Sequence, residues 1–316
     1  MKKAFEKLNL RDYGVLLGFL ALCIAISIAT PSFLGKQNIL NLLRQSSIIG
    51  IISAGMTFVI ISGNFDISVG AVAALAGAIT MKFATGGTNL FASMLLGVAI
   101  CAVIGLINGI VVAKINVPSL IATMAMVTIV RGVLLMLTGG YPITENIPIL
   151  DYIGNGYLFN IPIPVVIFFI VVLASFIVLN KTKFGRYVYS VGGNQEASKL
   201  NGINVDSHKV KVFIINAVLA GIAGIVLTGR LGTATAIAGE GYDMDAIASV
   251  VIGGTSVAGG SGSVLKTVIG VLLMSVINNS FNLLGIDVYF QYIFKGLIIL
   301  AAVGFDSYSK KKLASR

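Results

Sequence analysis

Few residues in this 316-residue sequence have the types and spacing that chemistry needs. The segment Gly259-Gly260-Ser261-Gly262-Ser263-Val264-Leu265-Lys266-Thr267 comes nearest to a phosphate cradle. A P-loop needs glycine directly before its Lys-Ser/Thr pair, so that main-chain amides can wrap the phosphate. Leu265 holds that position here and the segment opens an apolar run, so no nucleotide site of that type is encoded. His208 is the only histidine, stands in a basic stretch without a neighbouring nucleophile, and reads as a solvated residue near a helix start. Cys23 and Cys101 sit inside apolar runs with no CxxC or metal-ligand neighbour, which fits small core side chains. An intramembrane enzyme therefore has no candidate machinery. Three ionisable residues remain in apolar surroundings: Asp66, Arg131 and Lys295. Such groups are costly in lipid and mark ion or solute paths. Each also has a plainer reading. Asp66 and Arg131 fall near the ends of apolar runs and read as interfacial, while Lys295 can snorkel or pair with an acid such as Asp306. An ion-coupled secondary transporter of a small polar solute stands as the alternative reading on these residues.

The elements that must position these groups follow from composition. The chain is 57% hydrophobic and 11% charged, with mean hydropathy +0.98. Soluble domains carry about 25% charged residues, so a surface made from this sequence faces lipid. Apolar runs occur near 14–30, 47–62, 67–82, 91–113, 119–138, 161–180, 209–229, 244–258, 264–284 and 289–305. A crossing needs about 20 mainly apolar residues. The expected fold is all-α: a single polytopic domain over 1–316 with about ten spans. The run from Val15 to Ala29 follows Lys2, Lys3, Lys7 and Arg11 and reads as an uncleaved first span, being long for a signal peptide. Thirty-seven glycines suit close helix packing in a membrane.

Net charge is +10, but its placement argues against a nucleic-acid surface. Basic residues cluster at the N-terminus, at 181–211 (Lys181, Lys183, Arg186, Lys199, Lys209, Lys211) and at the C-terminus, whereas 139–160 carries Glu145 and Asp151 and no Lys or Arg. That is the positive-inside pattern, and an even number of spans places both termini in the cytoplasm.

Two stretches interrupt apolar runs: Ser62-Gly63-Asn64-Phe65-Asp66-Ile67-Ser68-Val69-Gly70, and Gly253 to Ser263. A turn at the membrane edge and a break lining a cavity both fit each of them. An internal echo accompanies them. Ala54-Gly55 and Ser62-Gly63 recur as Ala220-Gly221 and Thr228-Gly229 at an offset of 166, and Val103–Asn108 echoes Leu273–Asn278 at 170. Five runs separate the copies, which predicts two inverted repeats, a feature of alternating-access transporters. Within the basic stretch, Asn194 to Leu200 reads as a short helix capped by Asn194 and ended by Gly202. A lever for a partner protein and a solvated connector both fit it.

On these residues the chain resembles the ribose-type branch of ABC permeases, membrane subunits of monosaccharide importers related to branched-chain amino-acid permeases. The matching motifs run in order along nearly the whole chain: Gly63–Gly70, Gly185–Tyr189, Gly192–Ala197, Gly241–Ala248, Gly253–Gly262, Asn278-Asn279 and Asn282–Gly285. Asn201 stands where the family often has Ser, and Val257 where Leu is common. The resemblance implies a homodimeric pore in the cell (inner or plasma) membrane, passing a monosaccharide, ribose foremost, with galactose, xylose, allose or a signalling furanose as alternatives. It implies a periplasmic or lipid-anchored sugar-binding protein outside and a cytoplasmic ABC ATPase inside, the ATP and Mg being held by that ATPase and no cofactor by this chain. The coupling loop would span about 181–208, with Gly185, Arg186, Gly192, Gly193, Asn194, Glu196, Ala197, Leu200 and Gly202 as its ATPase-facing residues. Asn64, Phe65, Asp66, Ser68, Thr255, Ser256, Asn278 and Asn279 would contribute to the translocation pathway, though bonds to neighbouring helices are the commoner use of such side chains.

Overall fold

The computed structural model describes the backbone of residues 10–314 and the side chains between 15 and 304, those of Leu16 and Ala302 excepted. The basic side chains of both termini and Asp306 lie outside that range. In chain order the helices are α1 (Leu10–Ala29), α2 (Lys36–Ile61), α3 (Val69–Thr85), α4 (Leu90–Ala113), α5 (Ser119–Thr138), α6 (Pro148–Asn155) and α7 (Ile163–Lys181). They continue as α8 (Lys183–Gly193), α9 (Gln195–Leu200), α10 (Val205–Leu231), α11 (Tyr242–Ile252), α12 (Val264–Leu283) and α13 (Val288–Ala314). Two-residue strands clip loops together: β1 (Ile143–Thr144) pairs antiparallel with β4 (Thr233–Ala234), and β2 (Tyr157–Leu158) with β3 (Ile161–Pro162).

Nine of the ten apolar runs read from the sequence fall within one of these helices, overrunning it by at most two residues at either end. Among the described residues, α2, α4, α5, α7, α10 and α12 are long and apolar enough to cross a membrane, six helices in all. Shorter apolar stretches lie at Leu17–Ala29, Val69–Thr85 and Val288–Ala301. The run 244–258 departs from expectation. Its helix, α11, stops at Ile252, and Gly254 at φ +86° turns the chain away. At 1.5 Å per residue α11 rises only about 16 Å, roughly half a hydrocarbon core.

Helix α10 forms the axis of the bundle and packs most extensively against α4, α3 and α2. Small residues make this possible, since van der Waals fit rather than hydrophobic expulsion joins helices in lipid. A Cβ at Gly224 on α10 would strike the Ala73 carbonyl of α3, and one at Gly105 on α4 would strike the Phe213 carbonyl of α10. Helix α2 is buried at every residue from Ser46 to Ile61. Its hydroxyls bond back to carbonyls one turn earlier (Ser46 to Leu42, Ser53 to Ile49), and Thr57 also meets Thr267 of α12 at 2.9 Å. These buried hydroxyls thus find acceptors within the protein, as an interior without water requires. The outer helices show the reverse of a water-soluble surface: Leu95, Leu106, Ile121, Ile129, Phe169 and Ile170 all point outward and exposed. An apolar jacket of that extent belongs in lipid.

The echoed motifs sit on elements of matching order. Ala54-Gly55 lies on α2 and Ala220-Gly221 on α10, whereas Val103–Asn108 lies on α4 and Leu273–Asn278 on α12. Each half reads long helix, irregular link, shorter helix, long helix. The links are 62–68 in the first half and 232–241 in the second.

Candidate functional site

The first link is folded by its own side chains. Asp66 is 1% exposed, and its Oδ1 accepts the Ser68 amide at 2.9 Å and the Ser68 hydroxyl at 2.5 Å. Its Oδ2 accepts the Asn216 amide of α10 at 2.9 Å, and Asn108 of α4 donates to Ser68 Oγ at 3.1 Å. The main-chain amides freed by the break are taken by α5: Phe65 N–H donates to Ser119 Oγ and Ile67 N–H to Thr123 Oγ1. Asn64, also buried, donates to the Ser62 carbonyl and hydroxyl. The break is therefore embedded in protein, the condition under which irregular backbone is tolerated at membrane depth.

The second half holds a comparable acid. Asp245, in the first turn of α11, forms an ion pair with Lys295 of α13 at 3.0 and 3.1 Å. Asn278 of α12 hydrogen-bonds the same carboxylate. Among the described residues, which do not include the side chain of Asp306, the acid paired with Lys295 is Asp245. Arg131 stands on α5. It is half-buried and Nη1 donates to the carbonyls of Ala236 and Ala238, the latter at 3.1 Å.

Three glycine segments meet at one end of the bundle. The Gly260 amide donates to the Ile61 carbonyl at 2.8 Å, which joins the 253–263 link to the end of α2. Gly192, near the end of α8, fits against both: a Cβ there would fall on the Ile61 carbonyl oxygen and lie 2.8 Å from the Gly260 nitrogen. Gly259, at φ +84°, faces Gly63 across the same contact. Tyr189 of α8 adds a hydrogen bond to the Gly262 carbonyl at 3.0 Å. The junction brings the ends of α2, α8 and the α11–α12 link within backbone contact.

From this junction α8 and α9 project as an arm. The reading of Asn194–Leu200 holds in detail: Asn194 Oδ1 accepts the Ala197 amide at 2.9 Å, and Gly202 takes φ +77°. Sequence reasoning missed α8, whose buried face is Gly185, Val188 and Val191. His208 is not simply solvated but lies between Phe184 and Tyr187, with ring centroids at 5.8 and 5.0 Å. Lys209 Nζ ties α9 to α10 through Gln195 at 2.9 Å. Arg186, Asn194, Glu196, Ala197 and Leu200 are exposed, Leu200 at 90%.

The remaining pathway candidates divide. Thr255 and Ser256 are buried in the 253–263 link, where Ser256 Oγ accepts the Ala258 amide, and Asn278 joins the Asp245 cluster. Phe65 is half-buried beside Ser119, while Asn279 forms a reciprocal amide pair with Asn38 of α2 at 2.8 and 3.0 Å. The structure adds a third interruption, 232–241, which carries Gly232, Gly239, Glu240 and Gly241. That mix of glycine and charge between two apolar runs was its sequence signal.

Lipid-facing helices around buried acids, interrupted helices, and an exposed arm joined to the interruptions by backbone contact define a multi-pass membrane permease. The chain belongs to the family described as the permease component of branched-chain amino acid transport systems, whose model matches residues 38–303. It is 44% identical over 303 residues to the ribose import permease protein of Haemophilus influenzae, covering 93% of this chain and 94% of that one. Identity to the ribose import permease protein of Bacillus subtilis is 42% over 300 residues, 94% and 93% of the two chains. The L-arabinose transport system permease protein of Escherichia coli is 35% identical over 300 residues, 95% and 92%. No solved structure matches the chain.

Proposed function

We propose that this chain is the pore subunit of an ATP-driven ABC importer that passes a monosaccharide, ribose foremost, from a periplasmic or extracellular binding protein to the cytoplasm. The observation that carries the reading is identity above 40% with two ribose permeases over more than nine-tenths of both chains. The likeness to an arabinose permease supports a pentose. Two copies form the pore in the inner or plasma membrane. Counting α11 together with its flanking links as one crossing gives ten crossings, opposed orientations for the two halves, and both termini in the cytoplasm. The basic 181–211 stretch supports that sidedness.

ATP and Mg bind the separate ATPase, which takes hold of the α8–α9 arm. Arg186, Gly193, Asn194, Glu196, Ala197 and Leu200 offer it an exposed surface, while Gly185, Gly192 and Gly202 shape the arm. Nucleotide state shifts the arm, and the shift passes through Gly192, Ile61 and Gly260 to the interrupted helices. A ligand biases such a two-state element only by its differential affinity for the two states. Asn64, Phe65, Asp66, Ser68, Thr255, Ser256, Asn278 and Asn279 form the polar framework that shapes the pathway and lets its walls move.

The arm assignment is testable by co-purification. Tagged permease from native membranes is expected to bring down an ABC ATPase. Leu200→Asp replaces a burial worth about 1.5–3 kcal/mol with a charge, so it is expected to lose most of that ATPase while inserting normally. Equal ATPase recovery with Leu200→Asp contradicts the arm assignment.

A further inference from the structure

The 232–241 segment re-enters the bundle. It leaves α10 at Gly232, beside Met81 near the end of α3, and reaches Gly239, whose main chain packs on Gly70 near the start of α3. Between those two levels α3 rises about 16 Å. Gly70 permits the contact, because a Cβ there would overlap the Gly239 carbonyl oxygen. The Arg131 guanidinium secures the descent through the Ala236 and Ala238 carbonyls. A cavity of about 690 Å³ opens between this segment, the start of α3, the middle of α5, and α11, and Tyr292 of α13 also lines it. Thr128, Arg131, Glu240, Asp243 and Tyr292 supply its polar lining, and Met124 and Val127 are among its apolar walls.

Charge and depth restrict what fills this space. A guanidinium and two carboxylates among membrane helices are too costly to face lipid, so they line a watered path. Glu240 and Asp243 line the cavity together with Arg131, two carboxyl side chains to one guanidinium. That balance repels anionic solutes. A neutral polyol, by contrast, finds carboxylate acceptors, the spare N–H donors of a guanidinium, which has five in all, and an aromatic face for its C–H surface. The volume falls within the about 300–1,000 Å³ typical of small-molecule sites.

We propose that this cavity is the permease's own monosaccharide site, in which Glu240 and Asp243 accept sugar hydroxyls, Arg131 donates to a ring or hydroxyl oxygen, and Tyr292 covers the apolar face. The proposal rests on the importer reading above. It gives the membrane subunit a contact with the solute that is separate from selection by the binding protein.

The test uses the full importer of permease, ATPase and binding protein in proteoliposomes, with radiolabelled D-ribose. At equal amounts of assembled complex, Glu240→Gln and Asp243→Asn are each expected to lower uptake about tenfold, as loss of a hydrogen bond to a charged group does. A second measurement does not depend on those variants folding. Thr128→Cys, in a chain carrying Cys23→Ser, is expected to react with a charged, water-soluble thiol reagent, as a residue facing lipid would not. Wild-type uptake by both carboxylate variants, or an unreactive Thr128→Cys, overturns the site alone. A wild-type complex that imports no pentose overturns the importer reading, and this site with it.

Discussion

Gly192→Ala is expected to lower sugar import by at least about tenfold while the ATPase stays bound and hydrolyses ATP. The added methyl meets the Ile61 carbonyl oxygen and the Gly260 nitrogen, both of them main-chain atoms that cannot rotate aside. Relief requires α8 to move off both the end of α2 and the 253–263 link. Overpacking costs about 1–3 kcal/mol, and about 1.4 kcal/mol shifts a two-state junction tenfold. The neighbouring residue supplies the control. A Cβ at Gly193 meets only the Gly260 Cα, at 3.9 Å, so Gly193→Ala is expected to import within about twofold of wild type, the range of a tolerated substitution. The pair separates steric coupling from a general intolerance of α8 to side chains. Import and ATP hydrolysis measured on the same proteoliposomes decide it, and equal import by the two variants contradicts the junction's role.

Lys295→Met is expected to destabilise the permease by about 3–5 kcal/mol, the cost of breaking a buried ion pair from one side. Asp245 has a side chain only 5% exposed, and both its oxygens lie within 3.1 Å of Lys295 Nζ. Without the ammonium, the carboxylate keeps only the amide of Asn278. The pair joins α11 to α13, and α11 is too short to anchor itself across a membrane. Combining Lys295→Met with Asp245→Asn is expected to recover most of the loss, because a neutral replacement for a buried pair is often close to isoenergetic. Thermal inactivation of the detergent-purified chain measures both variants. A double variant no more stable than Lys295→Met contradicts the pairing.

Much of this was readable from residues, and the failures share a cause. Burying apolar length is a local property, so the apolar runs from 14–30 to 289–305 became helices, with 244–258 cut short at Ile252 by its glycines. The cap at Asn194 and the stop at Gly202 are equally local, resting on a side-chain acceptor and a left-handed glycine. Helix α8 escaped because three glycines dilute its pattern and its buried face is only Gly185, Val188 and Val191. The 232–241 interruption escaped because Ala234, Ala236, Ile237 and Ala238 blur its edge with α10. Residues alone leave Lys295 to snorkel or to pair with an acid such as Asp306, whereas packing of α11 on α13 brings Asp245 to it. The junction of Gly192, Ile61 and Gly260 had no sequence signal at all. Three glycine-rich motifs were visible, but their convergence depends on how α2, α8 and the α11–α12 link pack.

The central claim, a sugar pore driven by another subunit's ATP, is tested most directly by uptake of radiolabelled D-ribose into proteoliposomes. Permease, ATPase and loaded binding protein together are expected to accumulate the sugar only when ATP is supplied on the ATPase side, and the permease alone is expected to accumulate none under a proton or sodium gradient. Accumulation by the permease alone, driven by an ion gradient, would contradict the account and make the chain a secondary carrier.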